Sequence, residues 1–176
     1  MHLHRGNLFL VGLPGAGKTT LGRQLARRLG KDFLDADIEL EKRLGVSIPT
    51  IFEIEGEASF RDREQDVLAD LAARTNIVLA TGGGVVLRLA NRECLKSNGT
   101  VLYIHAEPPV VYERTRRSRH RPLLNTGDQL DRLVQLYGMR DALYREVATV
   151  VIESERDSIA RFTRLLESEP LPEPPA

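Results

Sequence analysis

Residues 12–20 read Gly12-Leu13-Pro14-Gly15-Ala16-Gly17-Lys18-Thr19-Thr20. This segment fits the Walker A pattern G-x-x-x-x-G-K-[ST], in which glycines let successive backbone N–H groups turn inward and form a nest for anions. Lys18 adds a mobile positive charge, and Thr19 begins a helix whose unpaired N–H groups favour phosphate. The pattern predicts a phosphate-binding loop that contacts a nucleotide through Gly15, Ala16, Gly17, Lys18, Thr19 and Thr20.

The flanking sequence favours this interpretation over an ordinary glycine-rich turn. Residues 8–11 form an apolar run typical of a buried parallel strand, and Leu21, Leu25 and Leu29 follow at helical spacing. Alternation of strands and helices continues along the chain, which predicts an α/β fold with a parallel sheet covered by helices on both faces. The further strands are predicted at 33–36, 77–81, 100–105 and 149–152.

The composition excludes several classes of protein. At 176 residues the chain is long enough for one domain, expected over residues 1–167, with a disordered Pro-rich tail over 168–176. The 25 basic and 25 acidic residues balance, so no overall field attracts nucleic acid or a membrane surface. The four histidines lack metal-ligand spacing, and the single cysteine, Cys94, excludes an internal disulfide. With no apolar span and no signal peptide, we expect a cytoplasmic protein.

Two carboxylates follow the second predicted strand. Asp35 lies in the run FLDA, and Asp37 precedes a helical pattern. Ligands bind at the carboxyl ends of the strands in an open α/β sheet, so both side chains can face bound phosphates. A second interpretation remains open, in which Asp37 caps the helix and Asp35 is a solvated turn residue.

Two more features indicate a ligand at the same sheet edge. Gly82, Gly83 and Gly84 follow the third predicted strand directly, and consecutive glycines permit very close approach by a ligand. Arg61 lies near the start of a long helical pattern, where a cation opposes the helix dipole and therefore suggests an anionic partner. A flexible connector at 82–84 is the alternative, although connectors seldom begin at the end of a buried strand.

A strongly basic segment follows the fourth predicted strand. Residues 114–124 read RTRRSRHRPLL and contain five arginines. Mutual repulsion, together with Pro122, predicts a lid over about 115–127 that is open when empty and closes over phosphate groups. A nucleic-acid patch is the other interpretation, but the segment lacks interleaved aromatic residues. The arginines are Arg114, Arg116, Arg117, Arg119 and Arg121.

With these residues placed, the chain resembles the shikimate kinases from Asn7 to about Leu166. The resemblance implies a P-loop fold like that of the nucleoside-monophosphate kinases, with a parallel sheet in the strand order 2-3-1-4-5. It also implies transfer of the ATP γ-phosphoryl group to the 3-hydroxyl of shikimate, on the route to chorismate and the aromatic amino acids. The motifs that carry it are GLPGAGKTT, FLDAD, IFEIEGEASFRDRE around Arg61, TGGG, RPLL in the lid, and R-x-x-x-Y-R-E-V-A from Arg140.

The resemblance assigns the substrate site. A substrate with one carboxylate and several hydroxyls needs a cationic clamp, which Arg61 and Arg140 can supply from two helices. It also needs an acceptor for a hydroxyl proton, which Asp37 can supply. Shikimate is expected at Asp37, Arg61, Gly82, Gly83, Gly84 and Arg140.

The resemblance also assigns the nucleotide and metal sites. Arg114 matches a position that stacks on the base of ATP, and Arg121 matches one that touches both nucleotide and substrate. Mg²⁺ is expected to be held by Thr19 directly and by Asp35 through water. The catalytic residues implied are Lys18, Asp37 and Arg121, in a monomer whose ligands are ATP and shikimate.

Some positions leave alternatives open. Thr81 stands where many P-loop proteins carry a carboxylate at the end of the third strand, and in the resembling family Asp35 serves instead. Phe52 and Phe60 match apolar positions that line the substrate pocket, though core packing explains them equally well. Because fold alone does not decide function, another small-molecule kinase, such as a gluconate or nucleotide kinase, and a non-catalytic ATP-dependent sensor are the competing functions.

Overall fold

The apolar runs of the sequence form the strands of one parallel sheet. The structure is a computed structural model that describes residues 6–116, 129–155, 157 and 160–164. Five parallel strands lie in the order β2-β3-β1-β4-β5. The predicted fold class and strand order are therefore confirmed. The strands are β1 Asn7–Val11, β2 Asp32–Asp35, β3 Ile77–Ala80, β4 Gly99–His105 and β5 Val150–Glu153.

Helices connect the strands and cover the sheet. The central strand β1 is buried along its whole length and pairs with β3 on one side and β4 on the other. Its near-continuous hydrophobicity is what a parallel strand covered on both faces requires. The helices are α1 Lys18–Leu29, α2 Ala36–Leu44, α3 Ile48–Ala72, α4 Leu89–Asn98, α5 Pro108–Thr115 and α6 Gln129–Val147, and a 3₁₀ turn at Val85–Leu87 precedes α4.

Two residues, Asp35 and Gly56, explain where a helix begins and where one bends. Strand β2 ends at Asp35, whose carboxylate caps α2, and Ala36 is already helical. Within α3 the helical conformation is interrupted at Gly56, which takes a φ of 81°, so two helical segments meet there at a kink. That left-handed conformation is open to glycine without the steric cost that a side chain would add.

Part of the predicted architecture lies outside the described residues. Residues 117–128, which include Arg121 and most of the proposed lid, are not described, and neither is the tail at 168–176. Near the C-terminus, residues 160–164 are helical. In the ranges that the structure does describe, no helix combines the length and the hydrophobicity needed to cross a membrane.

Candidate active site

All the predicted site segments within the described ranges meet at one edge of the sheet. Parallel strands place their carboxyl ends together, and in this fold that edge is the usual place for a ligand. The phosphate loop follows β1, and the 82–84 glycines follow β3. Asp35 ends β2, Arg114 lies on α5 beyond β4, and Ser154 follows β5.

The phosphate loop has the backbone shape that its glycines predicted. Gly12, Gly15 and Gly17 take φ angles of 149°, 84° and 99°. At Gly12 the loop packs so tightly that a Cβ would lie 2.5 Å from the carbonyl oxygen of Ile104. Gly17 is the N-cap of α1 and has no side-chain capping bond, so the first N–H groups of this helix face the loop. The arrangement suits an anion.

Lys18 is held over the loop rather than extended into solvent. Its Nζ donates to the carbonyl oxygens of Gly12 at 2.6 Å and Leu13 at 2.8 Å. The side chain is buried, with 8% of the residue exposed. A buried ammonium group beside the loop favours a polyanion there, because little water is present to screen its charge.

Thr19 and Asp35 lie in direct contact. The Thr19 hydroxyl donates to Asp35 Oδ2 at 2.9 Å, while Asp35 Oδ1 accepts from the backbone N–H groups of Asp37 and Ile38. Asp35 therefore both caps α2 and presents an oxygen at the mouth of the phosphate loop. The interpretation in which Asp37 caps the helix is therefore wrong, because the cap is Asp35.

This oxygen pair fits a magnesium ion. Mg²⁺ in nucleotide sites is usually held by one or two protein oxygens together with phosphate oxygens and water, so a pair suffices where a protein-only cage would need more ligands. Among the described residues no three His, Cys, Asp or Glu side chains form such a cage.

Asp37 lies in the first turn of α2 and faces Gly82. A Cβ built on Gly82 would lie 2.8 Å from Asp37 Oδ1 and 3.0 Å from Glu64 Oε2, so both carboxylates border the same small space. Burial, reinforced by the negative charges of Asp35 and Glu64, raises the pKa of Asp37 to about 6. A carboxylate with a raised pKa is suited to accept a proton near neutral pH.

Arg61 lies against Gly84. A Cβ at Gly84 would lie 2.4 Å from both terminal nitrogens of Arg61, so a side chain at this position would force the guanidinium to move. Arg61 Nη1 donates to the buried Glu64 at 2.8 Å, and Nη2 donates to Glu57 at 3.4 Å. Within the described part of the chain, Arg61 Nε is buried and has no hydrogen-bond partner.

Arg140 approaches the same glycines from α6. Its Nη1 would lie 3.3 Å from a Cβ on Gly83, and its Nε is also buried with no hydrogen-bond partner among the residues described. One helical turn later, the Tyr144 hydroxyl donates to the carbonyl oxygen of Gly83. Burial raises the pKa of Tyr144 to about 12, so it remains a neutral donor that holds the glycine backbone in place.

The two buried Nε groups indicate which kind of ligand this part of the site suits. Buried polar groups in proteins are nearly always paired, and a guanidinium matches a carboxylate through parallel N–H donors. Arg61 and Arg140 converge on the glycine triplet from two helices, so the site is suited to a small ligand with a carboxylate.

Sequence reasoning missed two side chains in this region. Glu64 binds Arg61 and borders Asp37. Its spacing of three residues from Arg61 on a predicted helix could have indicated the ion pair. Ser154 contacts both the phosphate loop and Arg114. Its position immediately after the last strand could have indicated that it lies at the ligand-binding edge of the sheet.

The structure also places Thr81, the two phenylalanines and Thr20. Thr81 donates its hydroxyl to the Leu10 carbonyl at 2.8 Å and is buried, so it acts within the sheet. Phe60 is in the core, whereas the Phe52 ring stacks on it at 4.6 Å and is 37% exposed. Thr20 is exposed on the first turn of α1.

Comparison with known proteins decides the family. The shikimate kinase family model matches residues 14–168. The chain belongs to the shikimate kinase family. A shikimate kinase of Thiobacillus denitrificans is 56% identical over 162 residues, covering 92% of this chain and 88% of the relative. One from Burkholderia lata is 59% identical over 153 residues, covering 87% of this chain and 83% of the relative.

Solved structures agree with the family. The shikimate kinase from Acinetobacter baumannii in complex with shikimate matches with a TM-score of 0.88 and 44% identity, covering 97% of this chain and 98% of that one. A gluconokinase from Sinorhizobium meliloti matches with a TM-score of 0.58 at 20% identity, which shows a shared fold alone.

Proposed function

We propose that this protein transfers the γ-phosphoryl group of ATP to the 3-hydroxyl of shikimate, giving shikimate 3-phosphate and ADP. The observation that carries the proposal is the convergence of Arg61 and Arg140, each with an unpartnered buried Nε among the described residues, on glycines 82–84 beside Asp37. Shikimate has one carboxylate and several hydroxyls, and this site offers cations, glycine backbone and a carboxylate within one small space. Membership of the shikimate kinase family supports the same substrate.

The two arginines bind and orient the substrate. A carboxylate between Arg61 and Arg140 would satisfy both orphaned Nε groups and neutralise the buried guanidinium charge. Glu64 and Tyr144 hold Arg61 and the Gly83 carbonyl in place before substrate arrives. Much of the ordering is thus done in advance, which reduces its cost on binding.

Asp37 receives the hydroxyl at the other end of the substrate site. Phosphoryl transfer depends mainly on alignment and on neutralising charge, so Asp37 acts first as an orienting acceptor and second as a base. Its raised pKa, about 6, lets it take the hydroxyl proton as the new ester forms and release it afterwards.

The phosphate loop holds the nucleotide. The amides of Gly15, Ala16 and Gly17 cradle the phosphates, with Thr20 beside them, and Lys18 neutralises charge on the β- and γ-phosphates. Thr19 and Asp35 would hold Mg²⁺, which when bound neutralises charge on the phosphate oxygens. Arg121, which lies outside the described residues, is proposed to touch both substrates.

The remaining features complete the proposal. The enzyme works in the cytoplasm as a monomer, with ATP and shikimate as its ligands and without nucleic acid or a membrane. The balance of 25 basic and 25 acidic residues supports the absence of a general attraction to polyanions. Size-exclusion chromatography with light scattering tests the monomer.

A coupled assay of ADP release tests the function. Initial rates are measured with shikimate, gluconate, AMP and no acceptor at equal concentrations. We expect shikimate to accelerate ADP release far above the other three. Equal rates with and without shikimate would indicate a nucleotide-binding protein without this activity, and a preference for gluconate or AMP would indicate a different kinase.

A further inference from the structure

The hydroxyl of Ser154 joins two parts of the nucleotide site. Its Oγ donates to the carbonyl oxygen of Ala16 at 2.7 Å and accepts from Arg114 Nη1 at 2.6 Å. A serine hydroxyl has one proton and two lone pairs, so it can make both bonds at once. Arg114 Nη2 also donates to the Ser154 carbonyl oxygen. One residue after β5 thereby links the phosphate loop to α5.

The bond to Ala16 controls the direction of a phosphate-loop amide. Every peptide bond in the described residues is trans. In a planar trans peptide the C=O and the following N–H point in opposite directions, so holding the Ala16 carbonyl toward Ser154 directs the Gly17 N–H away from it. Gly17 takes a φ of 99° and caps α1, where anions bind. Ser154 thus holds one of the predicted phosphate-binding amides.

The bonds from Arg114 to Ser154 lie in the plane of the guanidinium. The donors of a guanidinium lie in its plane, and Ser154 takes two of them. An exposed arginine would otherwise sample many rotamers, and fixing it removes part of the entropy lost when it stacks on a flat ring. These two bonds use the edge of the guanidinium, and an aromatic base stacks on its face, so the same arginine can make both kinds of contact.

We propose that Ser154 is a positioning residue for nucleotide binding, which acts by fixing Arg114 and the Ala16–Gly17 peptide relative to each other. The proposal rests on the proposed function in that it takes the ligand of this edge to be a nucleotide. The fold does not need the hydroxyl, because the Ser154 N–H donates to the His105 carbonyl at 2.8 Å and keeps the chain in place. Substitution of Ser154 by alanine should therefore remove the link between Arg114 and the Ala16–Gly17 peptide without changing the backbone conformation.

The test is a double-mutant cycle on ADP affinity, measured by calorimetry. Ser154→Ala is compared with Ser154→Thr, which keeps the hydroxyl, with Arg114→Ala and with the double variant. Ser97→Ala is the matched control, because Ser97 is exposed on α4 and its hydroxyl donates to the Glu93 carbonyl of its own helix. Thermal melting of each variant establishes that it is folded.

We expect Ser154→Ala to weaken ADP binding by about fivefold to tenfold, since one hydroxyl bond involves a charged partner. Ser154→Thr and Ser97→Ala should stay within about twofold of wild type. The double variant should bind at least about threefold more tightly than the product of the single effects predicts, because the two residues act together. The KM for shikimate should not change in Ser154→Ala.

Two results would overturn the proposal. One is ADP affinity in Ser154→Ala within about twofold of wild type, and the other is a Ser154→Ala effect that multiplies independently with Arg114→Ala. Neither result touches the proposed function, which fails separately if wild-type protein binds ADP but does not turn over shikimate. The double-mutant cycle can still be interpreted if shikimate is not turned over, because it measures only ADP binding.

Discussion

The guanidinium of Arg61 lies on the backbone of Gly84, so closely that a Cβ at residue 84 would come within 2.4 Å of both terminal nitrogens. A distance below 3.0 Å requires something to move. Arg61 donates a hydrogen bond to Glu64 on α3, and Gly84 is the N-cap of the 3₁₀ turn that precedes α4. The glycine triplet therefore serves the site by leaving space for an arginine, as well as by exposing its own backbone.

Gly84→Ala should displace Arg61 and weaken shikimate binding. Gly84 has a φ of −94°, which alanine adopts easily, so the effect comes from the contact and not from backbone strain. We expect the KM for shikimate to rise about tenfold with little change in the KM for ATP, as when a charged hydrogen bond is lost. Gly138→Ala is the control, because no neighbouring atom of the described residues lies within 4 Å of a Cβ there. An unchanged KM in Gly84→Ala would exclude this role for the contact.

Arg140→Lys should weaken shikimate binding although the charge is kept. An ammonium cannot make the two parallel hydrogen bonds that a guanidinium makes to a carboxylate. We expect the KM for shikimate to rise about tenfold or more while nucleotide affinity stays near wild type. Arg28→Lys, at an exposed position near the end of α1, is the control. Loss of ATP affinity instead would mean that the clamp binds the nucleotide.

Lys18→Ala should nearly abolish phosphoryl transfer. The variant loses the charge that the structure holds over the phosphate loop, and such a contact contributes on the order of 3 kcal/mol to the transition state. We expect less than about a tenth of wild-type kcat with the fold intact by circular dichroism. Lys42→Ala, an exposed lysine on α2, should keep full activity. If Lys18→Ala keeps more than about a tenth of wild-type kcat, the phosphate-loop assignment is contradicted.

Glu64→Gln should move the acid limb of the pH–rate profile to lower pH. Asp37 must be ionised to accept a proton, and its pKa is raised to about 6, so kcat/KM for shikimate should fall as pH falls through that value. Glu64 raises the pKa of Asp37 by its negative charge, and glutamine removes that charge while keeping an acceptor for Arg61. The profile is measured from pH 5 to pH 8.

The control for this profile is Glu53→Gln, at an exposed position on α3. It should leave the acid limb where it is in wild type. If the limb stays in place in Glu64→Gln as well, or moves to higher pH, Glu64 does not act on Asp37 in the way proposed.

Local patterns predicted the parts of the site that local physics determines. The phosphate loop was predictable because its glycines, Lys18 and the helix start form one short segment with a known mechanism. The alternation of strands and helices gave the fold class, while the strand order came from the family resemblance. Apolar periodicity does not encode which strand lies next to which.

Other parts of the site depend on contacts between distant segments. Asp35 and not Asp37 became the helix cap because the chain turns at the end of β2, and no residue propensity separates the two. Glu64 and Ser154 act through Arg61, Asp37 and Arg114, which the fold brings to them. A glutamate on a helix and a serine after a strand are common in any sequence, so their roles become clear only with the tertiary structure.

The measurement that tests the central claim most directly is the position of the new phosphate ester in the product. Wild-type protein is incubated with ATP, Mg²⁺ and shikimate, and the product is examined by NMR correlation between ³¹P and the ring protons. We predict a single ester on the 3-hydroxyl, formed in equal amount with ADP. An ester on another hydroxyl would contradict the orientation given by Arg61, Arg140 and Asp37, and ADP formed without any ester would contradict the proposed reaction.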